Sequence, residues 1–72
     1  MPMAKRAREI LAKRLRELRS EKGWSQDELA AQAGLHRAWI GAIERAERDM
    51  RIDNLDKLAA AFRIPVKELF EG

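Results

Sequence analysis

Apolar residues along the chain fall into helix-spaced blocks separated by short polar or glycine-bearing breaks. From about Ala4 to Glu21 no Gly or Pro intervenes, and Leu11, Leu15 and Leu18 recur at i, i+4 and i+7 with Arg and Lys between them. That spacing predicts an amphipathic helix with one buried stripe, and Gly23 ends it. Ser25-Gln26-Asp27-Glu28 has the form of a capping box: the Ser25 hydroxyl accepts from the Glu28 amide and the Glu28 carboxylate from the Ser25 amide, so a second helix starts there. It carries Leu29, Ala30 and Ala33 and stops at Gly34, which has no Cβ to oppose the left-handed backbone of a tight helix-to-helix turn, with Leu35 placed to plug the corner. A third helix is expected from His36 or Arg37 to about Arg45, then a polar loop over residues 46–51. Asp53 is expected to cap a fourth helix bearing Leu55, Leu58, Ala59 and Phe62. Pro65 suits the first turn of a short fifth one with Val66, Leu69 and Phe70. No strand alternation, repeat or linker appears, so the expected fold class is all-α, a compact five-helix domain.

Two helices joined through Gly34, the second with inward-facing Ile40 and Ile43, make a helix-turn-helix over about residues 25–45. At about 100° per residue from His36, Ile40 and Ile43 fall near 40° and 340°, whereas Arg37, Ala38, Gly41, Ala42 and Arg45 lie between about 100° and 240°. Such an outward face lets the helix backbone approach base edges. Arg37, at the start of the helix, is placed for a bidentate pair with guanine O6 and N7, and Ala38 for a thymine methyl. The bland alternatives are solubility for the arginines and packing against protein for the small residues. Gly41 costs about 0.5–1 kcal/mol relative to Ala inside a helix, which implies a close approach by something. Trp39, near 300°, is either core or a backbone contact. His36 at the helix start reads as a cap or a phosphate contact.

Composition narrows the chemistry. Seventy-two residues make one domain, spanning 1–72, and the chain has no Cys and one His. With no Tyr, no Thr and only Ser20 and Ser25 as hydroxyls, an activated nucleophile has almost nothing to be built from, so no catalytic residues are expected. Neither a zinc nor a calcium ligand pattern is present, and no metal, cofactor or small-molecule ligand is expected. A charged fraction of 38% excludes a membrane span. The N-terminal Met1-Pro2-Met3-Ala4-Lys5-Arg6 lacks the apolar stretch of a secretory signal, so the expected address is cytoplasmic. Net charge is +3 with a pI near 9.8, and residues 1–24 alone carry +5. That excess suits a polyanion, through release of counterions condensed on phosphates, or else a solvated basic helix face.

The run Leu15-Arg16-Glu17-Leu18-Arg19, then Gly23-Trp24-Ser25-Gln26-Asp27-Glu28-Leu29-Ala30, Ala33-Gly34-Leu35-His36-Arg37-Ala38-Trp39-Ile40 and Ile43-Glu44-Arg45 resembles the Cro/lambda-repressor-like (Xre) helix-turn-helix regulators. Within them it is similar to the controller proteins of restriction–modification systems, which are short, single-domain and homodimeric. The resemblance covers roughly residues 8–70. It implies a lambda-repressor-like DNA-binding domain, with base contacts from Arg37, Ala38, Trp39 and Ala42. Phosphate contacts would come from Ser25, Gln26, His36, Arg45 and Arg48, and a structural ion pair would join Arg19 to Glu44. Two positions depart from the pattern: Gly41 stands where Ser is frequent. Ala46 stands where Gly or Asn ends the recognition helix at positive φ, which predicts an altered 46–51 loop or a longer helix.

One recognition helix offers few base contacts, so a symmetric dimer on palindromic double-stranded DNA is expected, its helices in successive major grooves about 34 Å apart. Ile52, Leu55, Ile64, Val66, Leu69 and Phe70, in a dimerisation region over about residues 50–72, are the expected seam, the alternative being that they close the monomer core. The resulting expectation is a transcriptional regulator of a restriction–modification operon. An antitoxin-type autorepressor and a helical protein-interaction adaptor are the alternatives.

Overall fold

A computed structural model describes residues 4–71; Met1, Pro2 and Met3, which entered the reading of the N-terminus, lie outside them, as does Gly72. Four α-helices follow one another: α1 Lys5–Lys22, α2 Gln26–Ala33, α3 Arg37–Glu44 and α4 Ile52–Phe62, before a 3-10 helix at Val66–Phe70. No strand occurs among the described residues. α1 is the long spar of the molecule: eighteen residues at 1.5 Å per residue reach about 27 Å, against a longest dimension of 29 Å.

The predicted buried stripe is the core. Leu11 and Leu15 of α1, Leu29 of α2, Ile40 and Ile43 of α3, Leu58 of α4 and Leu69 of the 3-10 helix are all essentially without solvent exposure. Leu18, Met50 and Phe62, with Ala30, Ala33 and Ala59, complete the cluster, and Leu35 packs half-buried against it at the α2–α3 corner. α3 packs on both α1 and α2, while α2 and the 3-10 helix lean on α4. The Trp24 ring stacks on Phe62 with centroids 5.4 Å apart and planes 23° from parallel, joining the α1–α2 turn to the end of α4. Arg14 Nε donates to the Glu68 carbonyl at 2.8 Å, pinning the 3-10 helix to α1.

Local chemistry at the helix starts departs from expectation in three places. The Ser25 hydroxyl does accept from the Glu28 amide at 3.0 Å, but the Glu28 carboxylate turns along the helix to accept from Gln32 Nε2 at 2.9 Å rather than back to Ser25. An i,i+4 amide partner on the same helix face is the nearer one. Asp53 does not cap α4. Arg51 holds the extended cap position without a side-chain bond, and Asp53 lies inside the first turn, where its charge still complements the positive helix end. Pro65 stands immediately before the terminal helix rather than within it.

The helix ends share one device. Gly23 and Gly34, at φ +70°, and Ala46 and Arg63, at φ +59°, are left-handed. Each donates its amide to the carbonyl three residues back, and the next amide reaches the carbonyl five back: Trp24 to Arg19, Leu35 to Ala30, Glu47 to Ala42 and Ile64 to Ala59, all at 2.9–3.0 Å. These bonds close otherwise unpaired helix carbonyls. α3 therefore stops at Glu44 and does not run on, and Ala46 accepts a backbone that a Cβ disfavours by about 1–2 kcal/mol.

Candidate nucleic-acid interface

The helix-turn-helix is α2, the Gly34-Leu35-His36 turn and α3, and it is fastened to α1 at the last residue of α3. Glu44 is 4% exposed, the only charged side chain in the core among the described residues. Arg19 grips its carboxylate in a two-pronged pair, Nε to Oε2 at 2.6 Å and Nη2 to Oε1 at 2.9 Å. The remaining Arg19 nitrogen, Nη1, donates to the Trp24 carbonyl at 2.8 Å. Gln26 Nε2 donates to Glu44 Oε1 at 3.1 Å, and Arg16 donates to the Glu44 carbonyl. Buried charge is tolerated only when paired and fully hydrogen-bonded, a condition these donors meet. The side-chain bond to Glu44 raises the Arg19 pKa above its ordinary value, against burial, which lowers it. A raised value means the pair's stabilisation is complete below the unfolded guanidinium's pKa and is lost only at extreme alkalinity.

The outward face of α3 is narrower than the angular reading suggests. Arg37, Ala38 and Arg45 are exposed and Trp39 is half-buried, but Gly41 and Ala42 are buried. An eight-residue helix wedged between α1 and α2 has little free arc. The close approach implied by Gly41 is internal: a Cβ there would lie 3.1 Å from Arg45 Nη1 and 3.6 Å from Gln26 Oε1. Ala42 retains only 9% exposure, and that sliver belongs to a notch of about 230 Å³ lined by His36, Ala38, Trp39, Ala42 and Arg48.

Other candidate residues are placed as follows. Ser25 spends its hydroxyl on the α2 cap, and the Gln26 side chain is turned inward to Glu44, leaving main-chain amides as the group this helix start can offer. Asp27 and Glu28 already load that first turn with negative charge. His36 precedes α3 without a side-chain cap bond and is exposed. Arg45 Nε lies 3.1 Å from Glu47 Oε2 on the surface; Arg48 is exposed. Arg37 Nε lies 3.2 Å from Asp27 Oδ1, an inter-helix pairing the sequence reading missed, as it missed the Arg16 bond. Arg16 and Arg19, three apart on one face of α1, carried the available signal for the latter. On the seam, Ile52 is 74% exposed and Leu55, Ile64, Val66 and Phe70 are half-buried. Leu69 is 0% exposed within the single chain. It closes the monomer core and has no surface to give a partner, because Arg14 holds its helix against α1.

Among the described residues no cluster of His, Cys, Asp or Glu could hold a metal ion, and no helix is long and apolar enough to cross a membrane. The groove between α1 and the end of α3, about 590 Å³, is lined by Lys13, Arg16 and Arg45 together with Glu9 and Glu44. Cations thus outnumber carboxylates along that flank.

Comparison with known proteins agrees with this geometry. The helix-turn-helix family profile matches residues 15–69. A hypothetical transcription factor of Neisseria meningitidis is 39% identical over 69 residues, covering 96% of this chain and 65% of the relative, so the chain spans about two thirds of that protein's length. Control protein C.SmaI of Serratia marcescens is 42% identical over 62 residues, covering 86% of this chain and 74% of its own. Among solved structures, the restriction-modification controller protein C.AhdI of Aeromonas hydrophila superposes with a TM-score of 0.84 at 44% identity, covering 88% of this chain and 96% of that one. SinR, the master regulator for biofilm formation, solved in complex with DNA, superposes at 0.79 with 32% identity, covering 85% and 98%. With its α2–α3 unit intact and matched along most of its length, the chain belongs to the helix-turn-helix family of DNA-binding transcription regulators and shares the fold of restriction–modification controller proteins.

Proposed function

We propose that this chain binds a two-fold symmetric operator as a homodimer and regulates a restriction–modification operon, with Arg37 reading bases and Arg45, Arg48 and His36 engaging phosphates. The observation that carries the reading is the notch: His36, Ala38, Trp39, Ala42 and Arg48, drawn from the turn, α3 and the following loop, surround one concavity at the exposed start of the recognition helix. A lining that combines a cation with two alanines suits a groove edge that presents both acceptors and methyl groups. An eight-residue helix reads too few bases for an operator by itself, which favours two copies. Exposed Ile52, together with half-buried Leu55, Ile64, Val66 and Phe70 of the C-terminal third, is the apolar surface offered for that pairing. The relatives named control proteins support the restriction–modification assignment.

Selection of bound sequences from a random duplex pool, followed by a salt series and sedimentation, tests the proposal. A palindromic motif retained by a protein that sediments as a dimer at tens of micromolar supports it. Retention without a motif reduces the chain to a non-specific polyanion binder, and a monomer on and off DNA removes the symmetric mechanism. No retention at low salt turns the reading toward a protein-interaction adaptor.

A further inference from the structure

We infer that Asp27 is a positioning residue for base readout: its carboxylate holds the Arg37 guanidinium by the Nε edge, leaving the terminal fork to face the groove. The inference rests on the reading of Arg37 as a base contact. Asp27 occupies the first turn of α2 and Arg37 the first turn of α3, so the 3.2 Å approach of Oδ1 to Nε bridges the two helices of the DNA-binding unit at its exposed end. The partners differ in freedom. Asp27 has a short side chain on a helix whose start is fixed by the Ser25 hydroxyl bonding the Glu28 amide, whereas Arg37 is long and 63% exposed. The carboxylate therefore sets where the guanidinium lies.

Three features make this more than a surface ion pair. The approach of the carboxylate is to Nε at 3.2 Å, and the guanidinium carries four further donors on its two Nη groups for an acceptor pair such as guanine O6 and N7. A carboxylate near a polyanion costs affinity, yet Asp27 is 75% exposed on the face that carries Arg37. That cost has a return if the charge keeps Arg37 from straying to phosphates, which accept a guanidinium equally well at every sequence. Finally, the pairing crosses between elements that Glu44 already locks through Gln26 and Arg19, so the frame that carries the carboxylate is stiff.

The experiment compares wild type, Asp27→Ala, Asp27→Asn, Arg37→Ala and the Asp27→Ala/Arg37→Ala double variant, using the selected operator, its single-base variants and a random duplex as probes across a salt series. Asp27→Ala is expected to lower discrimination at the base read by Arg37 by about tenfold, while random-duplex affinity rises and its salt slope steepens by up to about one phosphate contact. Asp27→Asn, which keeps an acceptor oxygen without the charge, retains more of the discrimination. The double variant matches Arg37→Ala in base preference. If Arg37→Ala flattens the preference but Asp27→Ala leaves it intact, or weakens all sequences alike, Asp27 serves only the start of α2 and the inference is overturned. If Arg37→Ala leaves the preference intact, the base-contact reading itself falls.

Discussion

Gly34 and Ala46 occupy the same left-handed closure at the ends of α2 and α3, with opposite residue choices, and exchanging those choices should move stability in opposite directions. At Gly34, φ +70°, an added Cβ meets nothing within 4 Å, so Gly34→Ala carries only the backbone term. That term is about 1–2 kcal/mol for an L residue in this region. The stiffer unfolded chain returns about 0.4–1 kcal/mol of it, leaving a net loss of about 0.5–1 kcal/mol. Ala46 sits at φ +59° with the same pair of closing bonds, so Ala46→Gly should gain a similar amount. In a domain this small, about 4–8 °C accompany each kcal/mol, so the two variants should separate by several degrees in Tm. Urea unfolding followed by far-ultraviolet circular dichroism measures both, with an unchanged m-value showing that the native and unfolded states are otherwise alike. If Gly34→Ala loses stability while Ala46→Gly gains none, the left-handed assignment at Ala46 is wrong. α3 then ends without backbone strain.

Further expectations concern the clamp and the reading face. Glu44→Ala removes the shared acceptor of half-buried Arg19 and Gln26 and should cost about 1–3 kcal/mol in the same urea assay; no measurable loss would mean that water replaces the carboxylate. Gly41→Ala should stabilise by about 0.5–1 kcal/mol, because the atom it crowds is the mobile tip of exposed Arg45. Destabilisation there would show that Arg45 is fixed. Arg37→Ala should flatten base preference, whereas Arg48→Ala should weaken all duplexes alike and lower the salt slope by about 1; equal effects of the two would dissolve the division between reading and phosphate residues.

How far the sequence discloses this molecule depends on the range over which each feature is decided. Helical spacing depends on neighbours three and four residues away, so Leu11, Leu15, Leu18, Ile40 and Ile43 identify their own buried faces. Gly34 announces its turn because so few residues accept that backbone. Ala46 and Arg63 adopt the same conformation without a composition signal, since there the surrounding packing outvotes local preference. Burial around α3 is decided by α1 and α2 together. Angular bookkeeping on the one helix therefore leaves Gly41 and Ala42 outside when both are covered. Asp53 shows the cost of a two-residue error in a helix start, because a capping side chain becomes an ordinary first-turn acid. Arg37–Asp27 is invisible to periodicity, being a meeting of two helices at an angle only the turn defines.

Glu44 has a consequence for how the regulator fails. It is the last residue of the recognition helix, yet it is held by donors from α1 and from the start of α2, so α3 cannot loosen without surrendering contacts in both. Segments that open independently are those with few such ties; α3 should open only with the whole domain, and its amide protons should exchange at the rate of global unfolding. Loss of DNA binding in denaturant should then coincide with global unfolding, with no partly competent state between the folded and unfolded chains.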